Sequence, residues 1–531
     1  MAQGAGSALG DPPHKRTANG VNGSATRASA PSLPAEVVGK ILSLTGENAT
    51  FIARVAVLGR AWRDAVEWLD HLDVRLHETS ILERSAKSQA GVTRLILRAR
   101  RLQILDLEFT HSQNSEEDLT LTNHSATPVA VLEPSTLAKW INHTKPSLLQ
   151  LAVAVTTSRN PIVNEAALVE TILIHTRGAT KLNKLWLHNL DLDLPTIQGA
   201  PQGTFPIMAA SLKPRRMSQV FVEHFLAQSP KLLFMNVDLA TEEQELTFTS
   251  DRLQRLAITI LAGTRVNSLT VNMPALMRLK VESPYPFGPL HAPLCTKLSH
   301  LNVRVFSPGP EVEDKFRVNL APELRELQGA TFHLPNCSWE RVKAMVGHAP
   351  SVQHVAFTRS MDSVLSRMDL EVEGMIRMFP RLVSAYFGEA IFCDMMGQGG
   401  GENWRGEAKW RDMQAMRVVT TTTSREFVIA IAKLLRKCPK LMVLEIARPY
   451  GCEEDRVAAA VAGDAGYESS DSQEQPLVDY RELERDNLEA VVGRLRKKYP
   501  KLYVKGDFGV GEYDYYGWQF SVICRPNRDA L

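Results

Sequence analysis

The sequence predicts an α/β chain in which a short helical module precedes a long, irregular stack of helix–strand repeats. Three observations predict it. Apolar residues recur at i, i+3 and i+5, as in Leu276, Leu279 and Val281. A proline stands two residues ahead of many such triplets, as Pro274 does. A stripe of helical period precedes many of those prolines, as Val220, Phe221 and Phe225 do ahead of Pro230.

Residues 1–31 are rich in Gly, Ala, Ser, Asn and Pro and contain no apolar secretory core, which predicts a disordered tail. Their single acid, Asp11, leaves an organelle-transit reading open. A helix follows. Pro34 suits a first helical position, since its missing N–H costs nothing there, and Ser32 can supply a cap oxygen. Val37, Val38, Ile41 and Leu42 fall on one stripe. After the polar turn Thr45–Asn48, a second stripe comprises Ile52, Val55, Leu58 and Trp62. Two helices this short bury too little by themselves and need an external partner or the rest of the chain.

Residues 32–78 resemble an F-box. The match is carried by Leu33, Pro34, Glu36, Ile41 and Leu42, then Val55, Leu58, Arg60, Trp62 and Arg63. Leu72–Leu76 occupies the third-helix region of that family. Gly59 departs from the pattern, and the turn between helices lacks the family's proline. Gly39 and Gly59 each cost about 1 kcal/mol against alanine within a helix. The resemblance implies docking on a Skp-type adaptor, and through it a cullin, by Leu33, Pro34, Ile41, Leu42, Val55, Leu58 and Trp62.

The repeats occupy 88–510. Triplets start at Val92, Leu102, Leu148, Leu182, Leu232, Val266, Leu276, Leu298, Val352, Leu382 and Leu441, with degenerate copies at Leu324 and Leu502. The prolines include Pro146, Pro230, Pro350, Pro380, Pro439 and Pro500. Proline ends a helix and biases its predecessor towards extended geometry, so the unit reads helix, proline, strand. Such units of about 20–29 residues are leucine-rich repeats, which stack into a horseshoe. The long steps 382–441 and 441–502 require insertions or a degraded copy. The ten-residue steps 92–102 and 266–276 are too short for a repeat, so one member of each pair is read as a convex-side strand or hairpin partner.

Together the two segments resemble plant-type F-box/leucine-rich-repeat proteins. Residues between the signature leucines point outward on the concave strand face. Among them, Asp106, Trp186, Asn236, Lys280 and Asn302 are the expected contacts to a protein target. His111–Thr127, Asp193–Arg216, Met395–Thr423 and Cys452–Gln475 read as surface loops. In residues 511–531, Tyr513, Tyr515, Tyr516, Trp518 and Phe520 read as a cap on the last repeat.

The search for chemistry returns little. The 531 residues are 44% hydrophobic and 23% charged, which is ordinary globular usage. A net charge of +2 favours neither nucleic acid nor an acidic partner. The six cysteines lack a Cys-x-x-Cys spacing, in keeping with a reducing compartment, nucleus or cytoplasm. No apolar run reaches the ~20 residues of a membrane span. The fourteen histidines include no His-x-x-x-His pair, so no metal or cofactor is expected. Asp507-Phe508-Gly509 copies a kinase tripeptide without its glycine loop or catalytic loop. The basic cluster Arg98–Arg101 reads as solvating a repeat edge. The expectation is a non-enzymatic substrate receptor of a Skp–cullin–F-box ubiquitin ligase. The alternatives are a repeat scaffold whose first helices merely cap the array, or an enzyme with its site near Met395–Thr423.

Overall fold

A computed structural model describes residues 33–44, 49, 51–52, 60–78, 82–111, 132–156, 165–192, 203–240, 245–285, 287–305, 318–320, 326–333, 343, 350–358, 372–388, 409–419, 425–447 and 480–507. The expected N-terminal tail and C-terminal cap lie outside them, as do Val55, Leu58 and most of the helix expected over Arg341–Ala349.

The repeat pattern becomes one open, parallel sheet of fifteen strands that follow one another in chain order. They are β1 (His71–Glu78), β2 (Ile104–His111), β3 (Gln150–Thr156), β4 (Lys184–His188), β6 (Ala209–Lys213), β8 (Phe234–Leu239) and β10 (Arg255–Ile260). β12 (Arg278–Ser283), β14 (His300–Val305), β16 (Gly329–His333), β17 (His354–Thr358), β18 (Ser384–Phe387), β19 (Ala415–Val419), β20 (Val443–Ala447) and β21 (Tyr503–Asp507) continue it. β5 (Asp191–Leu192) and β7 (Arg216–Met217) form a separate pair.

Strands form where apolar residues alternate. In β4, Leu185 and Leu187 are buried while Lys184 and Trp186 face out. Register then passes from strand to strand. Leu256 stands opposite Met235 and Leu279, and Ile258 opposite Val237 and Val281, so the buried stripes align across the sheet. Backbone hydrogen bonds enforce this. The Gln254 carbonyl accepts from the N–H groups of Met277 and Arg278, and the Met277 carbonyl from those of Ser299 and His300. Ahead of each strand the signature leucine closes a turn, as Leu148 N–H does on the Thr144 carbonyl and Leu232 N–H on Ser229. Pro146, Pro230, Pro350 and Pro380 lie in these turns.

Helices α1 (Ala35–Leu44), α2 (Arg60–Ala65) and α3 (Leu82–Arg98) come first, and later ones run over Pro134–Thr144, Glu165–Thr176, Gln219–Gln228, Val372–Met378, Arg425–Lys437 and Tyr480–Lys498. Their apolar stripes join those of the strands in a single core. Mid-chain, starts at Leu253, Leu276 and Leu298 lie closer together. There short strands replace helices: β9 (Glu245–Thr249), β11 (Ser268–Asn272), β13 (Leu290–Ala292) and β15 (Val318–Leu320) form a second parallel sheet. A strand advances ~3.3 Å per residue against 1.5 Å for a helix, so a shorter return closes the unit. Gly288 permits this second layer, because a Cβ there would lie 1.5 Å from the Asn267 carbonyl oxygen.

Several expectations are corrected. The Val92 triplet is helical: Val92, Leu95, Ile96 and Ala99 form the buried stripe of α3, while Leu97 is exposed. The strand template shares i and i+3 with a helix, and only the third position separates them. Leu72–Leu76 is not a helix but the centre of β1, with Leu72, Val74 and Leu76 buried at period two. Of the two alternatives for the 266–276 pair, the hairpin is the one corrected: the Val266 triplet is a strand of the second sheet, paired parallel on both sides. The copy placed at Leu324 has its register three residues later, with Leu327, Ala330 and Phe332 buried. Three strands of the large sheet went unread: β6 with Ile207, Ala210 and Leu212, β10 with Leu253, Leu256 and Ile258, and β19 with Met413, Met416 and Val418. β6 and β19 lie inside stretches read as loops, where alanine and methionine stand in for leucine.

Trp140 is fully buried and its indole N–H donates to Thr93 Oγ1 at 3.1 Å. Trp140→Ala is expected to cost about 3–5 kcal/mol in denaturant unfolding, the range for deleting a buried aromatic. A cost below about 1 kcal/mol refutes this assignment of the core.

Candidate functional site

Two surfaces are candidates for contact. The first is α1. The Pro34 carbonyl accepts from Val38 N–H at 3.1 Å, so Pro34 occupies the cap rather than the first turn. The stripe expected as one splits into two. Val38 and Leu42 are buried together with Gly39 and Ser43. Gly39 makes the contact close, because a Cβ would lie 2.7 Å from the Ala65 carbonyl and 2.8 Å from Trp68 Cβ. Ser43 Oγ accepts from Asp70 N–H at 3.2 Å. The outward stripe is Leu33 (57% exposed), Val37 (40%), Ile41 (45%) and Leu44 (87%), at i, i+4, i+8 and i+11. Neighbouring stripe residues are ~100° apart, and one-sided packing covers only one of each pair.

Of the expected adaptor contacts, Leu33, Pro34 and Ile41 therefore share an exposed face. Leu42 faces the chain's own core. Trp62 lies on α2, with its side chain outside the described atoms. The Arg98–Arg101 cluster does more than solvate an edge. Arg98 lies 3.4 Å from Asp64 and 3.8 Å from Glu67, Arg100 lies 3.8 Å from Glu67, and the Arg101 guanidinium stands 4.0 Å over the Trp68 ring. These pairs are solvent-facing, each worth about 0.2–1 kcal/mol.

The second surface is the polar face of the large sheet. All five expected target contacts fall in a single register row. Asp106 is opposite Ala152, which is opposite Trp186. From Trp186 the row runs through Ser211, Asn236, Ala257, Lys280 and Asn302. A concavity of about 590 Å³ gathers Trp186, Asn236, Lys280 and Asn302. Asp106 lies outside it, held by His71 Nε2 at 3.1 Å and by Gln150 Nε2 at 3.5 Å. Asn302 is buried, and Trp186 is exposed with its ring parallel to that of His188, centroids 6.4 Å apart.

Sequence reasoning missed the neighbours that give this concavity its charge. Lys213, Phe234, Arg255, Arg278 and His300 also line it, and none of its lining residues is a carboxylate. Four of them occupy the position just before the first buried strand residue, which a period of two places on the same face as the residue two further on. That signal was available. The Arg255 guanidinium stands 5.0 Å from the Phe234 ring centroid. Just beyond the lining, Glu282 reaches Lys280 at 2.7 Å and Arg304 at 3.4 Å.

His300 records the field. Burial, then the charges of Arg278, His354 and Arg255, push its imidazole down to about 4. Ser299 Oγ donates to the Met277 carbonyl at 2.9 Å, so it accepts from His300 Nδ1–H at 3.0 Å, and Nε2 keeps its lone pair. Gly329 leaves room for this ring, since a Cβ would lie 3.0 Å from His300 Cδ2. His188 is likewise lowered, by burial and then by Lys213, and burial lowers His354. Asp238, on β8, is raised, chiefly by burial. The arrangement presents positive charge and planar side chains, and Ser211 Oγ lies 3.1 Å from His188 Nε2 within it. Burial raises the Cys295 thiol and pushes that of Cys438 up to about 12, so both stay protonated.

No family model matches the chain, and no curated protein matches it.

Because His300 is lowered, the unfolded chain binds a proton between pH 6.5 and about 4 that the folded chain does not. Stability is full above pH 6.5 and is expected to fall as pH drops through that window. His300→Gln should flatten part of the slope in denaturant unfolding measured between pH 7 and 4.5. An unchanged slope contradicts the burial of this imidazole among cations.

Proposed function

We propose that this chain is a substrate-recognition subunit of a cullin-based ubiquitin ligase, acting in the nucleus or cytoplasm. In this reading, residues 32–78 dock on a Skp-type adaptor and the strand array from 88 to 510 is a leucine-rich-repeat solenoid that holds a target protein. One observation carries it. α1 is anchored on one side by Val38, Gly39 and Leu42, yet keeps Leu33, Val37, Ile41 and Leu44 uncovered on the other. Fully burying an exposed aliphatic side chain contributes about 1.5–3 kcal/mol, and covering these partly exposed ones contributes a share of that each. The resemblance of Leu33, Pro34, Ile41 and Trp62 to the F-box names the adaptor. No residue of the chain performs ligation. The receptor instead raises the effective concentration of a target lysine near the conjugating enzyme.

A second reading, a repeat scaffold whose first helices cap the array, is favoured by the burial of Val38 and Leu42 and by the arginine contacts to Asp64, Glu67 and Trp68. The two differ in what the exposed stripe does.

Purified Skp adaptor should co-precipitate with the full chain and lose at least about tenfold in retention with Leu33→Asp/Ile41→Asp, at an unchanged thermal midpoint. Retention by neither protein assigns the module to the scaffold reading, and equal retention by both removes the exposed stripe as the docking surface. Gly39→Ala is expected to shift α1 off residues 65–68 at a cost of about 1–3 kcal/mol. It should expose α1 to limited proteolysis while the sheet stays protected, and uniform protection would contradict the close approach.

A further inference from the structure

We propose that the concavity on the polar sheet face takes an acidic segment of the target protein, about six residues long and lying across the strands. This rests on the sheet face being the target-binding surface. Its first support is charge. Lys213, Arg255 and Arg278 line one concavity with no carboxylate among the lining residues, beside Lys280, which Glu282 partners at 2.7 Å, in a chain whose net charge is only +2. The concentration is therefore local. At the other end of the same face the sign changes: Asp73, Asp106 and Glu108 lie on β1 and β2, with Arg75 3.1 Å from Asp73 and 3.3 Å from Glu108.

The second support is shape. The lining runs from β4 to β16, and the part of it from Lys213 on β6 to His300 on β14 crosses five neighbouring strands, about 19 Å at ~4.8 Å per step. An extended peptide covers that span with about six residues. A volume of about 590 Å³ holds several side chains, and the planes of Trp186 and Phe234 provide apolar contact beside the cations. The third support is register. Phe234, Arg255, Arg278 and His300 stand in one row across β8 to β14, so the two arginines are direct neighbours on the outward face. A carboxylate arriving there gains charge-assisted hydrogen bonds from the two guanidinium groups.

The test uses the full chain and isothermal titration calorimetry. The probe is an acetylated hexapeptide of alternating Asp and Glu, with the matching Asn and Gln hexapeptide as its neutral counterpart. The acidic peptide should bind and the neutral one should not. Arg255→Gln/Arg278→Gln should weaken binding about tenfold and Arg255→Glu/Arg278→Glu should abolish it, each at an unchanged thermal midpoint. Lys231→Gln, on an exposed turn away from the concavity, should change nothing. Equal binding of both peptides, full competition by equimolar sulfate, or tighter binding of a single-stranded oligonucleotide overturns the proposal. Adaptor co-precipitation with the same samples separates the two claims. Retained adaptor without peptide binding overturns this inference alone, and peptide binding without adaptor overturns the ligase reading alone.

Discussion

The structure depends on a backbone constraint repeated at every strand. The carbonyl ahead of one strand accepts from two successive N–H groups at the entry to the next, so each strand inherits its register from the one before. In a parallel sheet a slip of one residue would turn every leucine outward and every lysine or arginine inward. The hand-over therefore decides both faces at once. It aligns Leu256 with Met235 and Leu279 inside, and by the same step aligns Asn236, Ala257 and Lys280 outside. The polar face is a consequence of how the core is kept in register.

The N-terminal module obeys a different constraint. A ten-residue helix has little surface, and here one side of α1 is committed to the chain through Gly39, whose missing side chain allows backbone contact with residues 65–68. That fixes the helix firmly enough for its other side to remain apolar and uncovered. The arginines at the end of α3 hold the 64–68 segment from the far side. Exposed aliphatic stripes of this kind on an anchored helix mark interaction sites more often than isolated surface leucines do.

Much of the sheet was legible wherever leucine or valine occupied all three positions of the triplet. β6 and β19 were illegible with alanine or methionine in the triplet, yet β8 and β18 were legible with Met235 and Ala385 there, and β10 was illegible with Leu253, Leu256 and Ile258, so residue name alone does not decide legibility. The triplet was misleading at Val92, where a helix and a strand share two of the three positions. In the candidate site, the outward row from Trp186 to Asn302 follows directly from period two. The charges of Arg255, Arg278 and Lys213 lay on adjoining outward positions and escaped notice only because the residues between the leucines took precedence.

The order and sidedness of the strands are decided by the sequence alone, since each depends on local alternation and on a proline or turn between units. What needed the tertiary structure was which residues, dozens of positions apart, come to share one concavity, and which half of the α1 stripe stays outside. Both depend on how neighbouring units pack. A side chain's exposure is set by what lies against it, and nothing within its own segment specifies that neighbour.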